Sequence, residues 1–242
     1  QRPDLSGTAC RSGRPHEEAI KACDVVIARN PKSAEAYLVR GAAHRQGRDL
    51  KRAVDDLTRA TDLDPTNGRA FAERGLAHYA LHAFDLAVAD YTRAIELDPH
   101  RVRLYNNRGL SRVSLKDYAG ALADYDKAIE INPRYALAYF NRGRLYWLDG
   151  RRGKPALHDL GRSLEFNARF APAFSLRAEI LAETGHHRAA VEDLTQLIEL
   201  EPRNQLAHVR RARSHVETGA FDQAITDADR ALEISRRSPD AL

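Results

Sequence analysis

The stretch from Tyr139 to Gly150, YFNRGRLYWLDG, concentrates the residue types from which binding sites and active sites are built. It holds two arginines, an asparagine, an aspartate and the only tryptophan of the chain. Guanidinium and amide groups hydrogen-bond carboxylates and peptide groups, and a tryptophan ring can anchor an apolar ligand. Which of these residues belong to a site depends on which of them the fold itself requires.

Histidines raise the possibility of a metal site, because HYALH places His78 and His82 one turn apart on a predicted helix. A third ligand at a defined spacing is missing, and His44, His78 and His215 recur at one position of an internal repeat. We therefore interpret them as packed or hydrogen-bonded interior residues. The sequence also lacks the common motifs of hydrolases, zinc proteases and nucleotide-binding proteins. It predicts no enzyme, no metal and no cofactor.

Composition indicates a soluble folded protein, since 43% of the 242 residues are hydrophobic and 30% are charged. No run of apolar residues is long enough to insert into a membrane. The net charge of +4 is spread along the chain. Because phosphate binding needs cations clustered on one face, a nucleic-acid partner is not favoured.

An internal repeat organises the whole chain. The dipeptide Arg-Gly recurs with a spacing of 34 residues at positions 40–41, 74–75, 108–109 and 142–143, and prolines follow the same spacing at 31, 65, 99 and 133. The repeat divides the chain into seven units: 1–33, 34–67, 68–101, 102–135, 136–170, 171–204 and 205–238, followed by a tail, 239–242. One residue is inserted in the segment DGRRGKP of the unit 136–170. We expect a single domain, 1–242.

Each unit is numbered so that its glycine is position 8. Aromatic or large residues then occupy positions 4 and 24, small residues positions 8 and 20, and proline position 32. This pattern resembles the tetratricopeptide repeat over nearly the whole chain. The resemblance implies an all-α, right-handed superhelical solenoid of stacked antiparallel helical hairpins, because one hairpin cannot bury its own apolar face. Small residues at positions 8 and 20 let the two helices approach closely, and the proline ends the second helix.

Some units depart from the family pattern. Ala168 and Arg236 replace the proline, Ala178 and Ala212 replace the glycine, and Arg112 stands where a tyrosine is usual. We expect the last two units to pack less regularly than the others.

Every unit after the first carries arginine at position 7 and aspartate at position 23, whereas the first unit carries neither. This joint occurrence predicts a ladder of Arg–Asp pairs that ties first helices to second helices, within or between units. Arg142 then belongs to the fold, with Asp159 as its partner.

The two cysteines, Cys10 and Cys23, fall at positions 11 and 24 of the first unit, which are facing interior positions of paired helices. A disulfide between them would tie down the N-terminal hairpin and would require an oxidising compartment. Two free buried thiols are the alternative. Together with the absence of an initiator methionine, the disulfide favours a periplasmic or secreted protein, and a cytoplasmic one is the alternative.

Resemblance to the family implies that the first helices line a concave groove with positions 2, 5, 6, 9, 12 and 13. In the middle units the groove would be apolar and aromatic, with amides; its candidate residues are Leu76, Tyr79, Asn106, Asn107, Leu110, Val113, Phe140, Asn141, Arg144, Trp147 and Leu148. Towards the C-terminal end the groove would be charged, with Glu179, Glu183, Arg210, Arg213 and Glu217. Amides can pair with a peptide backbone and aromatic rings can anchor a side chain, which favours a peptide ligand. Alternatively, the aromatic residues pack against the inner wall or a neighbouring molecule.

The sequence thus predicts a non-catalytic scaffold that binds a peptide segment or protein partner in this groove. An architectural homo-oligomer is the first alternative, because Ala228 and Leu232 would lie on an uncovered end that another copy could cover. A helical-repeat enzyme is the second alternative.

Overall fold

The computed structural model describes residues 10, 11, 13, 15–150 and 152–236. These residues form thirteen α-helices and no strand. The chain divides into two compact units, with the boundary between Ile131 and Asn132. The first contains α1 (His16–Arg29), α2 (Ala34–Gln46), α3 (Leu50–Leu63), α4 (Gly68–Ala80), α5 (Phe84–Leu97), α6 (Val102–Ser114) and α7 (Tyr118–Ile131). The second contains α8 (Ala136–Leu148), α9 (Gly153–Phe166), α10 (Ala171–Glu183), α11 (His187–Leu200), α12 (Gln205–Glu217) and α13 (Phe221–Arg236).

The helices pair as hairpins that follow the sequence repeat, which confirms the predicted all-α stack. Each hairpin joins a 13-residue first helix to a longer second helix: α2–α3, α4–α5 and α6–α7 in the first unit, α8–α9, α10–α11 and α12–α13 in the second. The connection is three residues long everywhere except between α8 and α9, where the inserted residue makes it four.

Small residues are required where the helices of a hairpin cross. A Cβ added at Gly41 would lie 2.7 Å from Leu57 Cγ, and one added at Gly109 would lie 2.6 Å from Tyr125 Cε1. The alanines at position 20 are fully buried against the same crossing, as Ala53 illustrates with 0% exposure. The large residue at position 24 and the glycine at position 8 therefore fit each other, as the repeat pattern predicts.

The hairpins that depart from the family pattern keep regular helices. Helix α10 has 13 residues and α11 has 14, although Ala178 replaces the glycine. Ala178 is buried in a core cluster with Leu194 and Phe174. The helices of the hairpin α10–α11 thus have the same lengths as those of the hairpins that keep the glycine.

The turn between the helices of each hairpin contains one residue with left-handed backbone. Glycine occupies this position in the second unit, at Gly150, Gly185 and Gly219, whereas the first unit places Arg48, His82 and Lys116 there with φ of 59–63°. The Cβ atom of other residues makes this backbone conformation unfavourable, and only glycine adopts it without an energetic cost. Since α4 ends at Ala80, His82 lies in the turn, and the predicted placement of His78 and His82 on one helix is wrong.

The N-terminal hairpin differs from the prediction. Most of its expected first helix lies outside the described residues, and the described residues 10, 11, 13 and 15 are not helical. Cys10 therefore does not lie on a helix paired with α1. It nevertheless forms a disulfide with Cys23, with the Cα atoms 4.7 Å apart, and the disulfide fastens this segment to the buried side of α1.

Candidate functional site

The arginines and aspartates of the repeat form the predicted ladder, and every pair joins the two helices of one hairpin. The closest N···O distances are 2.7 Å for Arg40–Asp56, Arg74–Asp90, Arg108–Asp124, Arg142–Asp159 and Arg211–Asp227, and 2.5 Å for Arg177–Asp193. The aspartates are buried, with 1–7% exposure, and the arginines are half-buried. Arg142 in the segment YFNRGRLYWLDG is thus a structural residue.

The aromatic residue at position 4 adds a stacking contact to the pairs of the hairpins α2–α3 to α10–α11. Its ring lies beneath the guanidinium, with the Arg40 Cζ atom 5.6 Å from the Tyr37 ring centroid and the Arg74 Cζ atom 5.5 Å from that of Phe71. Such stacking stabilises a partly desolvated cation. This interaction explains why the repeat keeps an aromatic residue three positions before the arginine.

Position 11 supplies further partners to the ladder. His44 and His78 place Nε2 3.8 and 3.7 Å from the aspartates of their hairpins, which supports the interpretation of these histidines as interior residues. Burial lowers the pKa of His78, and the neighbouring Arg74 lowers it further, against the opposing effect of Asp90. Arg112, at the position of the usual tyrosine, donates from Nη1 to Asp124 Oδ2 at 2.8 Å.

The last hairpin replaces the aromatic residue by His208. Its Nδ1 atom lies 3.1 Å from Asp227 Oδ1, beside the bond that Arg211 donates to the same carboxylate. Burial alone would raise the pKa of Asp227, but these two hydrogen-bond partners outweigh burial and lower it. The histidine that breaks the repeat is therefore part of the ladder, and it does not form a separate site.

In the first unit, the candidate groove residues lie on α4 and α6 and are largely enclosed. Asn106 is buried, with 3% exposure, and its Nδ2 atom donates to Asn107 Oδ1 at 3.4 Å. The Tyr79 ring packs edge-on against Phe84, with the centroids 5.4 Å apart. The other candidates in this unit, Leu76, Leu110 and Val113, are half-buried.

In the second unit, α8 carries the remaining candidates, which differ in how far they are exposed. Arg144 and Leu148 are exposed, and the half-buried Phe140 ring packs edge-on against Phe170 at 5.0 Å. Asn141 is buried, with 7% exposure. Because Asn106 and Asn141 are buried, the expectation that both amides face a peptide backbone is wrong.

Trp147 is a core residue, so the expectation of an exposed anchoring ring is also wrong. It is 8% exposed and packs in a buried cluster with Phe174 and Ile180. A Cβ added at Gly153 would lie 3.8 Å from the Trp147 ring and 3.9 Å from Ile180, which shows how closely this glycine approaches the cluster. The indole ring therefore joins α8 to the next hairpin.

A pocket of about 520 Å³ opens between α10 and α12 in the second unit, and the start of α11 forms part of its wall. Small and apolar residues, Ala178, Ala182 and Leu194, line part of it, together with Ser214 and His187. Its charged residues are the five that the sequence assigns to the C-terminal end of the groove: Glu179, Glu183, Arg210, Arg213 and Glu217. The sequence analysis places these five residues at the charged end of the groove and not among the candidate binding residues of its middle. Their signal is the concentration of charge in the last two units, where positions 9 and 13 hold Glu179, Glu183, Arg213 and Glu217 and position 6 of the last unit holds Arg210.

The last hairpin exposes an apolar face. A groove of about 530 Å³ on α12 and α13 is lined almost entirely by apolar side chains, including Val209, Val216, Ala228 and Leu232. Ile225 and Leu232 are 62% and 55% exposed. Ala228 and Leu232 thus lie on an uncovered surface, as the sequence predicts.

Among the described residues, no group of three or more histidine, cysteine, aspartate or glutamate side chains converges as it would around a metal ion. Across the same part of the chain, every helix is too short or too polar to span a lipid bilayer.

Comparison with known proteins identifies the repeat. A family model described as tetratricopeptide repeat matches residues 9–68 and 176–241, a second with the same description matches 68–101, and one described as TPR repeat matches 109–150. No curated protein matches the chain.

Solved structures share the fold. PilW, described as a widely conserved type IV pilus biogenesis factor, is 21% identical, with 86% of this chain and 96% of PilW covered and a TM-score of 0.72. MamA is 26% identical, with 69% and 96% covered and a TM-score of 0.62. YrrB, described as a TPR protein with an unusual peptide-binding site, is 20% identical, with 76% and 94% covered and a TM-score of 0.61. On its repeat, its hairpin fold and these matches, the chain belongs to the tetratricopeptide repeat family.

Proposed function

We propose that the chain is a scaffold that binds a segment of a protein partner on the surface formed by the first helices of its hairpins, here called the inner surface. Proteins of this family generally bind proteins or peptides and are generally not catalytic. YrrB shows that a peptide-binding site occurs on this fold. In the second unit, the inner surface belongs to α8, α10 and α12.

The observation that carries the proposal is the pocket between α10 and α12. Its volume of about 520 Å³ lies within the range of about 300–1,000 Å³ that is usual for ligand sites. On α8 the same surface presents the exposed side chains of Arg144 and Leu148 beside Phe140. The exposed Leu148 and the half-buried Phe140 provide an apolar anchor for a peptide side chain, and the charged walls of the pocket provide a means of orienting a peptide.

The first unit has an inner surface of its own, formed by α4 and α6. The half-buried residues there are Leu76, Tyr79, Asn107, Leu110 and Val113. Asn106, Asn141 and Trp147 serve packing in this proposal, because all three are buried.

A selection from a displayed library of random peptides tests the proposal. We expect enriched peptides that bind the intact chain. Their affinity for the Leu148→Asp variant, and for the Ala182→Trp variant in which the new side chain fills the pocket, should be at least about tenfold lower. Leu86→Asp is the matched control, because Leu86 is exposed on the second helix α5. Thermal unfolding of each variant verifies folding. Peptides that bind both inner-surface variants as well as the intact chain would place the site elsewhere.

The apolar face of α12 and α13 favours a second function, assembly with another copy of the chain. In the preceding hairpin, the residues equivalent to Ile225 and Leu232 are Val191 and Ile198, and both are at least half-buried. The same positions of the last hairpin are exposed, so association would bury apolar surface. Sedimentation over a range of concentrations should show association that Ile225→Lys abolishes; a monomer at every concentration would refute assembly.

The disulfide supports a periplasmic or extracellular location. Disulfides persist in oxidising compartments and are rare in the cytosol. The bond between Cys10 and Cys23 therefore favours export. Thiol titration of the unfolded protein, purified from its native compartment without reductant, should find no free thiol. Two free thiols would favour the cytoplasm.

A further inference from the structure

The exposed apolar residues of α13 form one stripe along the helix. Phe221, Ile225 and Leu232 are each more than half exposed, and the exposed Ala228 lies between the last two. We propose that two copies of the chain associate by pairing this stripe with itself, with the two α13 helices antiparallel around a two-fold axis. The inference rests on assembly with another copy, the second function proposed for the chain, and it specifies the symmetry and the contacting residues of that assembly.

The spacing of the stripe suits pairing with another helix. Its residues follow one another at intervals of four, three and four, which places them on one face of an α-helix, as in a coiled coil. In the preceding hairpin, the equivalent residues of α11 are Val191, Leu194 and Ile198, which are buried or half-buried where α12 packs against α11. Four residues connect these two helices, so α12 runs antiparallel to α11. An antiparallel helix from a second copy would cover α13 as α12 covers α11.

The apolar face of α12 and α13 also has space for a side chain of the second copy. Position 24 holds leucine or tyrosine in the other hairpins, whereas the last hairpin has Ala228. This alanine lines the groove of about 530 Å³ together with Val209 and Val216 of α12. An antiparallel register that places Leu232 of one copy opposite Ala228 of the other fills the space. Two-fold symmetry makes this contact twice, with a large side chain over a small one each time.

The charges beside the stripe complement each other in the same register. Asp222 lies at the start of α13 and Arg236 at its end, and both are exposed. Arg236 follows Asp222 by 14 residues, or about 21 Å along the helix, so the two cannot pair within one copy. Antiparallel pairing brings Asp222 of each copy beside Arg236 of the other. A parallel pair would instead bring like charges together.

The position of Arg236 depends on a departure from the repeat. Proline at position 32 ends the second helix in most hairpins, but Arg236 replaces it in the last one. Helix α13 accordingly has 16 residues where α11 has 14. The additional residues carry the cation that complements Asp222.

Charge reversal followed by mixing tests the symmetry. Asp222→Arg and Arg236→Asp each create two contacts between like charges in the antiparallel pair. Sedimentation should therefore show association about tenfold weaker for each variant than for the wild type. An equimolar mixture of the variants restores both contacts with reversed signs, so heterodimers should form with about the wild-type affinity. Because any effect on the fold of either copy persists in the mixture, the recovery reports the contact between copies.

Cross-linking locates the two-fold axis. Asp229 lies on the same side of α13 as Asp222 and Arg236, close to the axis, where two like charges meet. Asp229→Cys removes this repulsion, and a short bismaleimide reagent should link the two introduced thiols, since both native cysteines are held in the disulfide. Thr226→Cys is the matched control. Thr226 is also exposed on α13 but lies outside the stripe, so it should give little linked dimer.

The possible failures are distinguishable. A mixture that associates no more tightly than either variant alone, or equal cross-linking of Asp229→Cys and Thr226→Cys, would overturn the inference. Assembly itself would still be supported if Ile225→Lys abolished the association. Species that grow beyond a dimer with concentration would indicate a head-to-tail arrangement and would also overturn the inference. A monomer at every concentration would refute both assembly and this inference, whereas the peptide selection tests the inner surface independently.

Discussion

Replacing Arg177 by alanine isolates the contribution of one step of the ladder. The Nε and Nη2 atoms of Arg177 donate to the two oxygens of Asp193 at 2.7 and 2.5 Å. The aspartate side chain is only 5% exposed, and position 11 of this hairpin is Leu181, which offers no second cation. The hydrogen bonds that Arg177 donates to Asp193 raise the pKa of its guanidinium. The substitution therefore leaves a buried carboxylate without its partner.

The magnitude follows from this burial. Breaking a fully buried pair costs about 3–5 kcal/mol, but the Arg177 side chain is 27% exposed, so we expect a loss of about 2–3 kcal/mol. Arg108→Ala is the informative comparison. Asp124 keeps its bond from Arg112 at 2.8 Å, so the loss should be only about 1 kcal/mol. The presence of a second cation at position 11 beside Asp124, and its absence beside Asp193, thus predicts that Arg177→Ala lowers the stability more than Arg108→Ala.

Urea unfolding followed by circular dichroism measures these differences. Arg188→Ala is the control, because Arg188 is exposed on α11 and should change stability by less than about 0.5 kcal/mol. Adding Asp193→Asn to Arg177→Ala should restore about 1–2 kcal/mol, since it removes the stranded charge. An Arg177→Ala protein as stable as Arg188→Ala, or more stable than Arg108→Ala, would refute the reasoning.

Three further predictions concern the core, the acid response and the disulfide. Trp147→Ala should lower the free energy of unfolding by about 3–5 kcal/mol, as measured by urea unfolding, whereas Leu148→Ala should change it by less than about 0.5 kcal/mol. The fold lowers the pKa of Asp227, so the ionised carboxylate stabilises the protein at pH values above its ordinary pKa of 3.8. This stabilisation is lost as the pH falls through the pKa of the folded state. The melting temperatures of wild type and Asp227→Asn should therefore converge on acidification. Reduction of Cys10–Cys23 should destabilise the protein by about 2–4 kcal/mol in urea unfolding, and a Cys10→Ser/Cys23→Ser protein should show no effect of reductant.

Features that the repeat imposes could be predicted from the sequence alone. The hairpins, the small residues at their crossings and the Arg–Asp ladder each recur at a fixed period, so each unit supplies independent support for the same contact. The ladder is the clearest case, since arginine and aspartate occur together in six units and are both absent from the first. The sequence could not decide whether the pairs lie within or between hairpins, and the structure places all of them within.

Features that depend on neighbouring side chains could not be predicted from position alone. Trp147 occupies a position that the family directs towards the groove, but the core formed by Phe174 and Ile180 receives the ring. Packing against those residues removes a large apolar surface from water, which outweighs exposure on the inner surface. The equivalent position of the unit 171–204 is Ala182, whose small side chain leaves room for the pocket between α10 and α12.

The ladder also bears on how proteins of this kind change length during evolution. Each Arg–Asp pair of the ladder closes inside one hairpin. Arg108 and Arg211 bond to the preceding hairpin through neutral hydroxyl groups, Thr92 at 3.0 Å and Thr195 at 3.1 Å, whereas Arg40 also pairs with Asp24 of α1 at 2.7 Å. Deletion or duplication of a whole repeat therefore keeps each buried ladder aspartate beside the arginine of its own hairpin. Recombination between repeats can lengthen or shorten the array, and so vary the surface it presents, without a new compensating substitution in the ladder.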